Sequence, residues 1–194
     1  RFDTSVIISY KKVEKILPIE DTIDRWTFGI VTDGNKSERV AALIDSITRL
    51  KIPIYEIIIC GRYDQNPQLN ELRILDEVVN VDDIRVPISS KKNKIALSAS
   101  YNNLIIVHDR YLFPSDWYVN MAAYGNYYEL LSMPNIGPNK GRVSDWNVFS
   151  CHPSDTVRND LVLPEYSSWS PWWYSQGGVL IIKKSLFVDN LLDE

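Results

Sequence analysis

The sequence predicts an α/β fold organised around parallel strands, and three observations predict it. An apolar segment, Trp26 to Thr32, leads into a helix-periodic stretch and then a second apolar segment, Tyr55 to Gly61. A third segment, Leu104 to Val107, is apolar at every position and ends in the dipeptide His108-Asp109. A late segment, Gly177 to Ile182, runs straight into Lys183-Lys184-Ser185-Leu186-Phe187, which reads as a turn into a helix. Strands apolar on both faces belong inside a sheet covered on both sides, which is the α/β arrangement.

The elements follow in order. Ser5 to Tyr10 is strand-like and competes with Phe28 to Thr32 to be the first strand of the unit. Only the latter leads directly into a periodic helix, so residues 1–24 are expected to form an N-terminal arm or an added edge strand. Asp33-Gly34-Asn35 ends the first strand with a strong turn signal. From about Ser37 to Lys51, residues Val40, Leu43, Ile44, Ile47 and Leu50 make one stripe of a 3.6-residue period, with Ser37 or Asn35 as N-cap. Ile52-Pro53 stops that helix, because the residue before proline is pushed out of the α region. The whole is a βαβ unit, expected to be parallel and right-handed.

Beyond Arg62 the pattern weakens. Leu72 to Val81 is expected to hold a short strand or helix, and Asp82 to Val86 another short strand. Ser89-Ser90 is expected to cap a helix from Lys91 to about Asn102, with Ile95, Ala96, Leu97 and Ala99 toward the sheet. Pro114, Ser115 and Asp116 start a helical segment through Trp117, Val119 and Met121. Residues 135–168 are rich in Pro, Gly, Asn and Ser and read as irregular; loops of that length in a compact domain are usually functional.

Composition narrows the function. The 194 residues, 45% hydrophobic, suffice for one well-filled domain. With 21 basic and 25 acidic residues, the net charge of -4 gives no footprint for nucleic-acid binding. No apolar run reaches the length of a membrane span, and no signal-peptide pattern opens the chain. The sequence starts at Arg1 rather than Met, so it is expected to be an excised piece of a longer protein. Cys60 and Cys151 have no metal spacing and make no disulfide framework, which points to a reducing, cytoplasmic setting with Cys60 as a core thiol. Four of the six tryptophans fall between Trp146 and Trp173. Clustered indoles serve either as core or as platforms for sugar faces. His152 and Asp155 form no triad with a serine, so hydrolase chemistry has little support.

The His108-Asp109 pair is the sharpest chemical signal. The carboxyl ends of strands are where α/β folds bind ligands. A carboxylate and an imidazole delivered there suit a divalent cation holding a phosphate-bearing ligand. The plainer reading is a polar loop residue beside a solvent-facing histidine.

Three blocks carry a resemblance to the GT-A glycosyltransferases, particularly family 2-like inverting enzymes and small relatives. Phe28 to Gly61, including Leu43-Ile44-Asp45-Ser46-Ile47, resembles their first βαβ unit. Lys91-Lys92-Asn93-Lys94 through His108-Asp109 resembles the helix and strand leading to their acidic metal-binding motif. Gly177-Gly178-Val179-Leu180-Ile181-Ile182-Lys183-Lys184-Ser185 resembles the strand-helix block beside the acceptor. The blocks together cover most of residues 26–190, and their order and spacing make the likeness.

The resemblance implies a GT-A three-layer sandwich around a mostly parallel central sheet, in one domain over residues 25–194 that is truncated at its C-terminus. It implies transfer of a sugar, with inversion and assistance from Mn²⁺ or Mg²⁺, from a nucleoside diphosphate sugar (a UDP-sugar foremost) to a glycan, lipid-linked or protein acceptor. Peripheral contact with the cytoplasmic face of a membrane would come through a lipid-linked acceptor. Asp109 is the implied metal ligand. His108 stands where the family has the first acid of its pair, and either binds the metal or contacts ribose or phosphate. Arg110 is placed to neutralise phosphate. Thr32, Asp33, Gly61 and Arg62 correspond to the nucleotide pocket, with Asp64 slightly later than the acid that contacts the base in the family. Lys91, Lys92 and Asn93 would border the diphosphate at a helix N-terminus, against the alternative of a solvated lysine cluster. Trp169, Trp172, Trp173 and Tyr174, with Gly177 and Gly178, would meet sugar or acceptor. Asp145-Trp146 resembles an element of small relatives without an assigned role. The general base an inverting transfer needs is either Asp193 or Glu194, or lies beyond Glu194; the second is favoured. The rival reading is a non-catalytic nucleotide- or glycan-binding domain that keeps the fold. A nucleotidyltransferase is weaker, because Thr32-Asp33-Gly34-Asn35 lacks a Gly-rich basic loop.

Overall fold

The computed structural model describes residues 21–64, 69–75, 87–143, 145–149, 161–168, 173–175 and 177–193. Two compact units separate among them: a larger one that runs to Leu130 and resumes at Gly178, and a smaller one from Leu131 to Gly177. The elements are β1 (Arg25–Val31), α1 (Ser37–Thr48), β2 (Ile54–Cys60), β3 (Leu72–Leu75), α2 (Ile88–Ser98), β4 (Asn103–His108), α3 (Trp117–Tyr124), β5 (Leu130–Leu131), β6 (Trp146–Phe149), β7 (Leu161–Val162), β8 (Trp173–Ser175), β9 (Val179–Lys183) and α4 (Lys184–Val188).

The main sheet has the order β3-β2-β1-β4-β9-β5. β1 pairs in parallel with β2 and with β4, and β2 with β3, whereas β9 runs antiparallel to β4. The fold is therefore α/β on a mixed, mostly parallel six-stranded sheet, as expected. The chain builds outward from β1 to β2 and β3, then returns to the other side of β1 as β4. That reversal makes the β1–β4 seam the topological switch point, the place where open α/β sheets bind ligands at their carboxyl edge.

Side-chain alternation along β1 assigns the layers. On one face, the Phe28 ring lies 5.4 Å from Phe113 and 5.9 Å from Trp117, and Trp26 lies 5.1 Å from Trp117. α1 covers the same face: its buried Ser46 hydroxyl accepts the Phe113 N–H at 3.2 Å. The other face carries Gly29 and Val31. Here α2 comes so close that a Cβ on Gly29 would stand 2.2 Å from Ile95 Cγ2. Val31, Ile58, Leu104, Ile106 and Ile182 close this side with Ile95 and Ala96 of α2 and Phe187 of α4. Helices on both faces of one sheet make three layers.

Several boundaries differ from expectation. α1 ends at Thr48, short of Lys51, which takes a left-handed φ of 56°. Its N-cap position is Lys36, with no side-chain capping bond, and the Asn35 N–H just before it donates to Asp33 Oδ1 at 2.9 Å in a local turn. α2 spans Ile88–Ser98 rather than Lys91 to Asn102. Pro87 occupies the N-cap position, where its fixed φ and missing N–H are harmless, so Ser89 and Ser90 fall inside the first turn. The sheet-facing set is consequently Lys91, Lys92, Ile95, Ala96 and Ala99. Leu97, expected toward the sheet, is 58% exposed, and both lysines are buried, which argues against the alternative of a solvated lysine cluster. The strands expected at Ser5 to Tyr10 and Asp82 to Val86 lie outside the described residues.

The stretch read as irregular holds a three-stranded antiparallel sheet, β7-β6-β8, in the smaller unit. Its polar centre is Asp145, 1% exposed. The carboxylate accepts the Asn135 N–H at 3.0 Å, Arg142 Nε at 2.8 Å and the Tyr166 hydroxyl at 2.7 Å. Arg142 in turn lies 4.0 Å from the centre of the Tyr166 ring. Burial, then the Asp145 carboxylate, pushes the Tyr166 hydroxyl well above its ordinary pKa. Asp145 thus has a role sequence reading could not assign: it ties together three segments of this unit.

At the amino end of the main sheet, Glu56 Oε1 accepts the Thr27 hydroxyl at 2.7 Å and the Ser100 N–H at 2.5 Å, and Arg73 bonds Oε2 at 2.7 Å. Burial raises the Glu56 pKa, but the Ser100 N–H, the two hydroxyls and Arg73 together outweigh it and hold the carboxyl below its ordinary value. A depressed carboxyl adds stability that is fully present above the unfolded pKa, about 4.3, and is lost as pH falls through the folded value. Urea midpoints measured from pH 7 to pH 3 should therefore fall more steeply for the wild type than for Glu56→Gln, and parallel curves would remove Glu56 from the acid response. Gly29→Val should cost about 1–3 kcal/mol by overpacking α2, and pairing it with Ile95→Ala should recover part of the loss in the same denaturation assay.

Candidate functional site

The site is built where β1 and β4 end. Backbone pairing carries one residue past each strand: Asp109 donates its N–H to Val31 O at 3.3 Å, and Thr32 donates to Cys60 O at 3.3 Å. This sets Thr32 and Asp109 side by side, and the Thr32 hydroxyl donates to Asp109 Oδ2 at 2.7 Å. The same oxygen of Thr32 accepts the Gly34 N–H at 3.1 Å, so its proton is directed at the carboxylate. Thr32 is 3% exposed. A buried hydroxyl with one donor partner and one acceptor partner holds the carboxylate at a defined angle, as outer-shell groups do for ligating carboxylates.

Two glycines bring the second strand's end against the first. Gly61 has φ +135°, and a Cβ there would lie 2.1 Å from Thr32 O. Gly34 has φ +80°, and its Cβ would lie 2.7 Å from Arg62 Cβ. Residues 32–34 and 61–62 therefore form one packed rim, as their positions at one sheet edge suggested. Asp33 is exposed on this rim, and its carboxyl is held below the ordinary range chiefly by the Asn35 N–H.

α2 adds positive charge from beneath. Lys91, 1% exposed, donates Nζ to Thr32 O at 2.8 Å, and Lys92 is also buried. Burial pushes the Lys92 pKa down. His108 donates its backbone N–H to Gly178 O at 3.0 Å, which brings buried Gly178 of the β9 side to the same edge. The His108 Nε2 atom is buried and has no hydrogen-bond partner among the described residues. Burial first, then Lys92 and Arg110, pushes the imidazole pKa down to about 4 against the pull of Asp109, so the ring is neutral at pH 7. Arg110 is exposed, 5.6 Å from the centre of the Tyr111 ring.

Not every expected residue joins this group. Asn93 is 3% exposed and binds the backbone of Leu192, donating Nδ2 to Leu192 O at 2.8 Å and accepting the Leu192 N–H at 3.0 Å. Asp193 is exposed just beyond. Gly177 and the β8 residues Trp173 and Tyr174 belong to the smaller unit. Trp169, Trp172 and Glu194 lie outside the described residues. The polar cavity of about 170 Å³ lined by Asp21, Thr22, Arg25 and residues 100–103 sits at the amino ends of β1 and β4, opposite the candidate site.

No group of three or more His, Cys, Asp or Glu side chains able to hold a metal occurs among the described residues. The Asp109–His108 pair nonetheless has suitable chemistry: a carboxylate oriented by Thr32 and a neutral imidazole whose buried Nε2 is not engaged in a hydrogen bond among the described residues. Such a pair supplies part of a coordination shell, which hard cations commonly complete with phosphate oxygens and water. Sequence reasoning missed the Thr32–Asp109 bond because it joins positions 77 residues apart. It also left the burial of the lysines open, although Lys91 and Lys92 stand four residues before Ile95 and Ala96 on one helix face.

No protein-family model matches this chain, and no curated protein matches it. Among solved structures, it is similar to the apo form of the glycosyltransferase GlyE from Streptococcus pneumoniae TIGR4, with a TM-score of 0.42 and 10% identity over 85% of this chain and 35% of that one. It is similar too to the galactosyltransferase LgtC in complex with donor and acceptor sugar analogs, with a TM-score of 0.42 and 10% identity over 84% of this chain and 60% of that one. The chain thus spans less than two thirds of either protein. Likeness at this level transfers no residue role. No helix among the described residues is long and apolar enough to cross a membrane.

Thr32→Val keeps the shape of the side chain but leaves Asp109 and Gly34 without their partner. It should lower stability by about 1–3 kcal/mol, the cost of stranding buried polar groups, whereas Thr32→Ser should stay near wild type in chemical denaturation.

Proposed function

We propose that this chain is a GT-A-type glycosyltransferase domain that binds a nucleoside diphosphate sugar, a UDP-sugar foremost, and passes the sugar to a glycan, lipid-linked or protein acceptor. The observation that carries the reading is the Thr32–Asp109 hydrogen bond across the switch point of the sheet. It orients a carboxylate at the edge where α/β sheets bind nucleotides, with His108 alongside and Lys92 close enough to depress the histidine's pKa.

Each residue contributes a definable part. Thr32 holds Asp109 in place, and the rim of residues 32–34 and 61–62 offers backbone and Arg62 to the nucleoside. Asp109 and His108 would hold Mn²⁺ or Mg²⁺. The ion, when bound, offsets the negative charge that develops on the departing diphosphate. Lys92 and Arg110 would oppose a bare cation and favour one that arrives with phosphates. Arg110, which is exposed, suits the diphosphate oxygens, to which a guanidinium can donate two parallel bonds. The general base remains assigned to a carboxylate at or after Asp193.

Calorimetric titration of UDP, GDP and their sugars, with and without Mn²⁺, tests the reading. Asp109→Asn should retain the fold and weaken Mn²⁺-dependent UDP binding at least tenfold, about 1.4 kcal/mol. Unchanged titrations would remove Asp109 from the site. A chain that binds UDP-sugars but turns none over with any acceptor offered would favour the non-catalytic binding domain.

A further inference from the structure

Asn93 was expected at the diphosphate, yet its amide faces another way. One turn of α2 carries Lys91, Lys92 and Asn93, all buried. Lys91 reaches the carboxyl end of β1 through Thr32 O. Asn93 instead meets the chain that emerges from α4. Its Nδ2 donates to Leu192 O at 2.8 Å and its Oδ1 accepts the Leu192 N–H at 3.0 Å, so one side chain closes a two-bond ring with one residue's backbone across 99 positions. The reciprocal pair specifies both the location and the orientation of that residue, as a strand neighbour would. Leu192 itself is 37% exposed, so its side chain is only partly covered. Asn190 caps back onto α4 through Leu186 O at 2.9 Å, and Asn93 holds the chain two residues beyond that cap.

We propose that Asn93 is a positioning residue: it fastens the segment after α4 to the helix turn that supplies the site's lysines, and so sets where Asp193 stands relative to the bound nucleotide. This rests on the sugar-nucleotide reading for its purpose, while the clamp itself stands on the two hydrogen bonds alone. Loss of the Asn93 side chain would leave Lys91, Thr32 and Asp109 where they are.

Two variants break the clamp from opposite sides. Asn93→Ala removes the side chain, and Leu192→Pro removes the N–H that Asn93 accepts, together with the leucine side chain and the freedom of φ there. Amide exchange by NMR should show the Leu192 N–H protected in the wild type and exchanging about tenfold or more faster in Asn93→Ala; an unprotected wild-type amide overturns the clamp. UDP titrated with Mn²⁺ should bind both variants within about threefold of wild type. Binding weakened tenfold in Asn93→Ala but not in Leu192→Pro would make Asn93 a ligand contact and overturn the proposal. The spectroscopic readout is paramagnetic broadening by Mn²⁺ with UDP: the Asp193 amide signal should broaden in the wild type and lose that broadening in both variants, while the Gly34 signal stays broadened. Equal broadening of Asp193 in all three proteins overturns the positioning role. If wild-type protein takes up no UDP, the sugar-nucleotide reading fails and the exchange measurement still decides the clamp.

Discussion

The two-sided burial of β1 is the constraint on which the larger unit depends. Trp26, Phe28 and Ile30 are fully buried on one face, and Thr27 and Val31 on the other, between parallel partners on both edges. A strand with no exposed edge or face cannot slip register without moving every side chain to the wrong layer. Once it is fixed, the residues just past its end are fixed too. Thr32 inherits its position from that strand, Asp109 inherits its own from β4, and the hydrogen bond between them needs no further adjustment. Gly29 is the condition for this arrangement, because a side chain there would hold α2, and the lysines it carries, away from the sheet.

Buried ammonium groups mark both ends of the sheet and are solved differently. At the amino end, Lys183 is 4% exposed and bonds Asp21 at 3.0 Å and Asn103 Oδ1 at 2.7 Å, with Asn126 as a further acceptor and the Tyr128 ring 4.6 Å away. A carboxylate there balances the charge, which is what a buried cation requires for stability. At the carboxyl end, Lys91 gives Nζ to the Thr32 carbonyl, a dipole rather than an anion, and Lys92 lies near His108. Asp109 and Asp33 are acids of this same rim, and Asp33 feels the charge of Lys91, so basic and acidic side chains stand together at the carboxyl edge.

Much of the fold was legible along the chain. The stripe from Val40 to Ile47 and the runs ending in Val31, Cys60 and His108 are periodic signals that local physics imposes, and each became the expected element. The His108-Asp109 pair was visible as chemistry because a strand apolar on both faces has a predictable polar exit. What stayed hidden depended on helix phase. Lys91 and Lys92 stand one turn before Ile95 and Ala96 on the face that α2 turns to the sheet, Asn93 is buried beside them, and Leu97 points outward. No charge pattern announces that burial, since lysines near a helix start ordinarily face water.

Local sequence therefore carried the identity of the elements, the parallel pairing of the first βαβ unit and the acidic exit of β4, because each follows from periodicity, turn chemistry and burial within a few dozen residues. It could not carry the partners. Thr32 meets Asp109, Asn93 meets Leu192, and Asp145 gathers Asn135, Arg142 and Tyr166 only once strands and helices are assembled. A hydroxyl or an amide has the same composition whether it faces solvent, a ligand or a distant backbone. Its partner is chosen by the packing of whole elements, and that choice separated the residue that holds Asp109 from the residue that holds the chain after α4.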